Sequence, residues 1–279
     1  MAGAPPLFDR ALGVARATRR RGAEANILTR TIAEELVERL AFVNRRFEHV
    51  LLIAAEPDAI AVRLKEGGQV QTVETRGPSA SDDLGLPEAH YDAVFSILDL
   101  QTFNDVPGAL IQIRRALKPD GLLLACLFAG DTLTELRQSW LAAEAAVLGG
   151  VSPRVAPMID VRELGGLLQR AGLALPVADL DRTMVRYADA VALIHEIREL
   201  GLSNNLVGRS RTPVSRRLMG AAINHYQQTF ADPDERVRAT VEIAWITGWA
   251  PHESQQQPLK PGSAKARLAD ALKVEEKKI

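Results

Sequence analysis

Between residues 91 and 137 the pattern of apolar and polar positions changes character several times. Tyr91–Ile97 is a short apolar run carrying two aromatics, Tyr91 and Phe95. Over 106–117 the apolar residues fall at Val106, Ala109, Leu110, Ile113 and Leu117, which is the spacing of one helix face. Lys118-Pro119-Asp120-Gly121 stops that helix, because proline cannot continue it and glycine relaxes the turn. Residues 122–128 are apolar throughout, as in a strand covered on both faces. Strand, helix and strand predict a right-handed parallel crossover, and the rest of the chain should assemble around it.

The same alternation precedes this unit. The pattern predicts a helix over 27–42, a buried strand over 49–55, a loop at Glu56-Pro57-Asp58, a short helix over 59–64 and a strand over 69–74. A loop rich in Gly, Pro, Ser and Asp fills 76–89. The order argues for a doubly wound α/β sheet with helices on both faces. Further on, Thr132-Leu133-Thr134-Glu135 reads as a capping box opening a helix that ends before Gly149-Gly150. Asp160 opens another helix, 173–180 and 184–187 read as strand material, and 188–200 and 214–230 are helical. Residues 238–249 have β-branched and aromatic residues in partial alternation, as in a strand. The expected organisation is a basic arm and helix (1–48), a Rossmann-like core (49–187), a helical insertion (188–235), a final core strand (236–250) and a polar tail (251–279), with 264–273 able to form an amphipathic helix.

Composition narrows the function classes. With 34 basic against 35 acidic residues, net charge offers no sign of nucleic acid as a partner. Cys126 is the single cysteine and lies mid-strand, so it reads as an inert core thiol. No apolar run reaches the roughly 20 residues that span a bilayer, and MAGAPPLFDR lacks a signal core, so a cytoplasmic protein is expected. Arg10, Arg16, Arg19, Arg20 and Arg21 make the N-terminus basic: a solvated arm, or a flap that closes over a site or grips a partner.

In open parallel sheets, ligands sit beyond the carboxyl ends of the strands. Glu74, Asp82, Asp83, Asp99, Asp105 and Asp131 are the ionisable residues of the segments ending there. Glu74, at the end of the second strand, could accept hydrogen bonds from a ribose. The first loop, Ala54-Ala55-Glu56-Pro57-Asp58-Ala59, has no glycine, so side chains are expected to occupy space that a nucleotide-type cofactor normally shares with bare backbone. The five histidines lie in separate segments without metal-ligand spacing, and no metal site is predicted.

Asn104-Asp105-Val106-Pro107, Leu117-Lys118-Pro119-Asp120-Gly121, Phe128-Ala129-Gly130-Asp131-Thr132-Leu133 with Glu135-Leu136-Arg137, and Gly201-Leu202-Ser203-Asn204 carry a resemblance. From Leu7 to Ser254 the chain resembles the class I S-adenosylmethionine-dependent methyltransferases. More narrowly it is similar to the branch holding the arginine-hydroxylating assembly factor of respiratory complex I, near the malonyl-carrier-protein methyltransferase of biotin synthesis. The resemblance implies a seven-stranded sheet with the last strand antiparallel. It implies S-adenosylmethionine with its methionine part near Ala54, Ala55 and Glu56, its ribose at Glu74, its adenine near Asp82 and Asp83, and further contacts at Ile97 and Leu98. Asp131 is the candidate for orienting an acceptor, with stabilisation of a helix N-terminus as its plainer role. Where the family has His-Trp after the fourth strand this chain has Gln101-Thr102. Two functions compete: S-adenosylmethionine-dependent transfer or hydroxylation on a protein or small acceptor, and a non-catalytic assembly factor holding a respiratory complex I subunit.

Overall fold

The computed structural model describes residues 5–19 and 27–256 of the 279. The 264–273 helix expectation lies outside them. Two helices, α1 (Arg10–Thr18) and α2 (Ile27–Ala41), lead into β1 (Phe47–Ala54), α3 (Pro57–Glu66), β2 (Val70–Arg76) and β3 (Tyr91–Ile97). The crossover helix α4 (Val106–Ala116) and β4 (Leu117–Phe128) follow. The second half holds α5 (Thr134–Leu148), α6 (Val161–Arg170), β5 (Ala174–Tyr187), α7 (Ala190–Glu199), α8 (Arg216–Phe230) and β6 (Val237–Trp249).

The strands form one sheet in the order β2-β1-β3-β4-β6-β5. β1 to β4 run parallel, and β6 is antiparallel to both its neighbours. The expected antiparallel last strand is present, but the sheet has six strands among the described residues, not seven. The two strand segments expected over 173–187 are one continuous 14-residue strand, β5, paired along its length with β6. Parallel strands bury both faces, which is why 49–54 and 122–128 read as unbroken apolar runs. On one face Leu51, Ile53, Leu123 and Leu127 pack against α4 and α6; on the other Val50, Leu52, Leu124 and Cys126 pack against α2 and α3. A third cluster joins α5, α7 and α8 to the start of β6 through Trp140, Leu193, Tyr226 and Val237. Burial pushes the Cys126 thiol far above its ordinary range, consistent with an inert core residue.

Two local expectations are corrected. Lys118-Pro119-Asp120-Gly121 is not a free turn but an irregularity inside β4, stitched to the end of β6: Asp120 N–H donates to the Ala250 carbonyl and Ala250 N–H to that of Gly121. Glycine is required there, because a Cβ on Gly121 would lie 2.8 Å from the Lys118 carbonyl oxygen. Thr132 and Glu135 do not form a capping box. The Thr132 hydroxyl donates to carbonyls and accepts from Glu242 N–H, Glu135 accepts from the Thr240 N–H and hydroxyl, and Leu133 enters α5 with φ of 57°. Tertiary partners on β6 outcompete the local cap. No helix among the described residues is long and apolar enough to cross a membrane.

Candidate functional site

Strand order reverses between β1 and β3, and their carboxyl ends open into a cavity of ≈ 580 Å³. Ligands of open α/β sheets sit at such a reversal, and this volume is in the range of about 300–1,000 Å³ typical of small-molecule sites. Ala54, Ala55 and Glu56 form the wall that leaves β1; Ile97 and Leu98 form the wall that leaves β3. Leu98 is held at φ of 51° with its N–H on the Cys126 carbonyl, an uncommon backbone for a branched residue.

The glycine-free first loop borders this cavity with Glu56, Pro57, Asp58 and Ala59 and leaves it open. Pro57 opens α3, where a missing N–H is no loss. Glu56 Oε2 is buried without a hydrogen-bond partner. Glu56 also lines the cavity, and a carboxylate there is complementary to a cationic ligand group.

β2 contributes Thr75 to this cavity, followed by Gly77, rather than Glu74. The register explains why. Thr75 pairs with Leu52 and shares its face, whereas Glu74 pairs with Leu51 on the opposite face. Glu74 accepts hydrogen bonds from the Tyr91 hydroxyl and Arg76 Nε, each at 2.9 Å. Burial raises its carboxyl, but those two bonds outweigh it and leave the group below the usual range. Asp82 and Asp83 lie in the loop after β2, outside the cavity lining. Asp82 accepts from Asn104 N–H and faces Arg10, and Asp83 accepts from Gly85 N–H. Asp131 is exposed and 3.6 Å from Arg182, outside the lining of the first cavity and of the second one described next, which its neighbours Thr132 and Leu133 line.

A second cavity of ≈ 590 Å³ lies beside the first, with Gly201 and Leu202 common to both walls. Gln101, Thr102, Phe128, Leu133 and Trp140 line it, so the Gln101-Thr102 pair faces this space. Five arginines also line it, Arg16, Arg154, Arg198, Arg209 and Arg211, with no Asp or Glu among the described lining residues. Arg154 is paired with Glu144 and Arg209 with Asp9, while Arg198 and Arg211 have no ion-pair partner among the described residues. Burial, and then the like charge of Arg209, lowers the Arg16 guanidinium from its ordinary value.

The N-terminal segment roofs both cavities. Phe8 and Arg16 line the second, and Ala17 lines the first. Asn104 Oδ1 accepts from Leu7 and Phe8 N–H at 2.8 Å, and Arg16 Nη1 donates to the Ser203 and Asn204 carbonyls. Two of the motifs singled out in the sequence, Asn104-Asp105-Val106-Pro107 and Gly201-Leu202-Ser203-Asn204, therefore converge on the arm. Arg10 fastens it. Its side chain is 3% exposed, its Nη1 donates to Thr102 Oγ1 at 2.9 Å, it stacks 3.5 Å from the Phe103 ring centre, and it faces Asp82 at 3.5 Å and Asp99 at 3.8 Å. Asp99, buried at the end of β3, has its carboxyl pushed up to about 6 by burial, which the Arg10 charge only partly offsets. Over its described residues the arm is thus a docked flap rather than a solvated tail. Sequence reading missed the arginine cavity because its members come from four separate segments; the run of arginines near the N-terminus was the only hint.

Residues 31–125 match a methyltransferase domain family model. The chain is 37% identical over 196 residues to the mitochondrial arginine-hydroxylase NDUFAF5 of Danio rerio, covering 70% of this chain and 61% of that protein. The human protein of that name is 37% identical over 216 residues, covering 76% and 62%. The malonyl-[acyl-carrier protein] O-methyltransferase of Xylella fastidiosa is 34% identical over 168 residues, covering 60% and 55%. These matches support a place for the chain on a branch of the class I S-adenosylmethionine-dependent methyltransferases. Within it the chain stands close to the arginine hydroxylases, and it spans about 60% of the length of the zebrafish and human relatives it matches. The Gly130–Arg137 motif has a structural job: Asp131 N–H, Thr132, Leu133 N–H and Glu135 all bond to Thr240 or Glu242 on β6, welding one wall of the second cavity to the sheet.

Proposed function

We propose that the cavity at the β1–β3 reversal takes S-adenosylmethionine and that the arginine-lined cavity beside it takes an acceptor carrying an anionic group. Ala54, Ala55, Glu56, Ile97, Leu98 and Thr75 are the residues that would hold the cofactor, with the Glu56 carboxylate meeting its positive charge. When bound, the cofactor supplies an activated methyl group on a sulfonium. The chain's own part is alignment: the shared Gly201-Leu202 wall sets the two ligands side by side, and the docked arm shields both from water.

The observation that carries the acceptor class is the charge of the second cavity. Of its five arginines Arg198 and Arg211 have no ion-pair partner among the described residues, and with no carboxylate in the described lining they attract a carboxylate or phosphate and repel another guanidinium. Among the relatives' named substrates this favours the malonyl type over arginine. The test is isothermal titration with S-adenosylmethionine, followed by labelled methyl transfer to a panel of carboxylate thioesters and arginine peptides. Saturable cofactor binding weakened about tenfold or more by Glu56→Gln, with transfer to carboxylates weakened by Arg198→Glu/Arg211→Glu, is expected. Modification of the arginine peptides with the acids inert overturns the acceptor reading.

A flat titration leaves the second reading, a non-catalytic factor that holds a partner such as a respiratory complex I subunit; the glycine-free first loop is the feature that favours it. The relatives are named as mitochondrial, while a cytoplasmic setting is the reading proposed for this chain.

A further inference from the structure

On the sheet face opposite Thr75 and the first cavity, three residues far apart in sequence converge. His49 lies near the start of β1, Glu74 on β2, and His90 immediately before β3. One ligand-capable atom from each lies within 4.8 Å of the others, and the two imidazole rings are 4.6 Å apart. His49 Nε2 is 3.9 Å from Glu74 Oε2. The separation of these residues along the chain hid this grouping from any reading by ligand spacing.

We infer that His49, Glu74 and His90 form a site for a divalent transition-metal ion, best matched by Zn²⁺, that clamps the end of the 77–90 loop to β1 and β2. Two imidazoles and one carboxylate suit zinc and its neighbours rather than the all-oxygen preference of Ca²⁺ or Mg²⁺. Three protein ligands leave a fourth position for water. Ligand atoms around zinc at about 2.0–2.1 Å stand roughly 3.4 Å apart, so the set must draw in by about 1 Å or more, and the exposed His90 side chain can swing to do so.

The surroundings are those of a supported site. The Tyr91 hydroxyl and Arg76 Nε fix the Glu74 carboxylate from outside, as second partners of metal-binding carboxylates do. His49 N–H is held by Asp92 at 2.8 Å. Ala89 has φ of 46°, with its N–H and that of His90 pinned to the Arg115 and Ala116 carbonyls, so an unfavourable backbone directs His90 back over His49. The positive charge of Arg76 opposes a cation and limits affinity. The clamped loop carries Gly77 into the first cavity and Asp82 to Arg10, so the ion would steady the arm from below.

The experiment is titration of the metal-stripped, untagged full chain with Zn²⁺ alone by calorimetry, repeated with Co²⁺ to follow the visible spectrum. One equivalent is expected, with affinity falling by about 10-fold or more in His90→Ala and in Glu74→Gln, and unchanged in His195→Ala. His90 is exposed, so His90→Ala should fold normally, and a matching melting temperature without metal confirms it. The inference is overturned if the wild-type chain takes up no stoichiometric Zn²⁺, or if His90→Ala binds it as tightly.

Discussion

Replacing Asp99 by asparagine tests the balance that holds the arm down. Asp99 is 2% exposed, one of its carboxylate oxygens has no hydrogen-bond partner, and its charge partner Arg10 is 3.8 Å away. Attraction across that distance in a medium of effective dielectric near 20 is about 4 kcal/mol, yet burial costs the ionised carboxyl more, and the group sits at about 6 instead of 3.8. The folded chain therefore binds this proton more tightly than the unfolded chain, so stability falls as pH rises from about 4 to about 6 and stays lower above that. Two pKa units correspond to about 3 kcal/mol, an upper figure for a buried group with a charged neighbour. Asp99→Asn keeps the shape and stays neutral, with Arg10 still bonded to Thr102 and facing Asp82. Urea unfolding at pH 4, 5, 6 and 7.5 should show the variant matching wild type at the lowest pH. By pH 7.5 it should be more stable by about 1–3 kcal/mol, with a flatter profile between. If the variant is instead less stable at pH 7.5, the ion pair outweighs desolvation and the reasoning fails.

Arg10→Met should destabilise the fold by about 3 kcal/mol near neutral pH in the same assay, because Asp82 and Asp99 lose their buried counter-charge. The loss should shrink at pH 5, where Asp99 can take a proton. Gly121→Ala should cost about 1–3 kcal/mol by thermal melting, since the added methyl meets the Lys118 carbonyl at the β4–β6 seam. The Cys126 thiol should react with an aromatic disulfide reagent only at the rate of global unfolding; rapid labelling of the native chain would contradict its burial.

What the chain itself determined is the alternation of elements. The apolar runs at β1, β3 and β4 and the helical spacing of α4 follow from which faces must leave water, and local pattern carries that information. Glu56 and Leu98 line one cavity because topology puts the ends of β1 and β3 together. Glu74 lies outside that lining, since a one-residue difference on a strand selects the opposite face, and Thr75 took the cavity side. Thr132 and Glu135 looked like a local cap, yet β6, more than 100 residues away, offered better partners. Only the tertiary structure could gather five arginines around one cavity, or His49, Glu74 and His90 around one point. A balanced total charge conceals both, because electrostatics acts through distance in space and not along the chain.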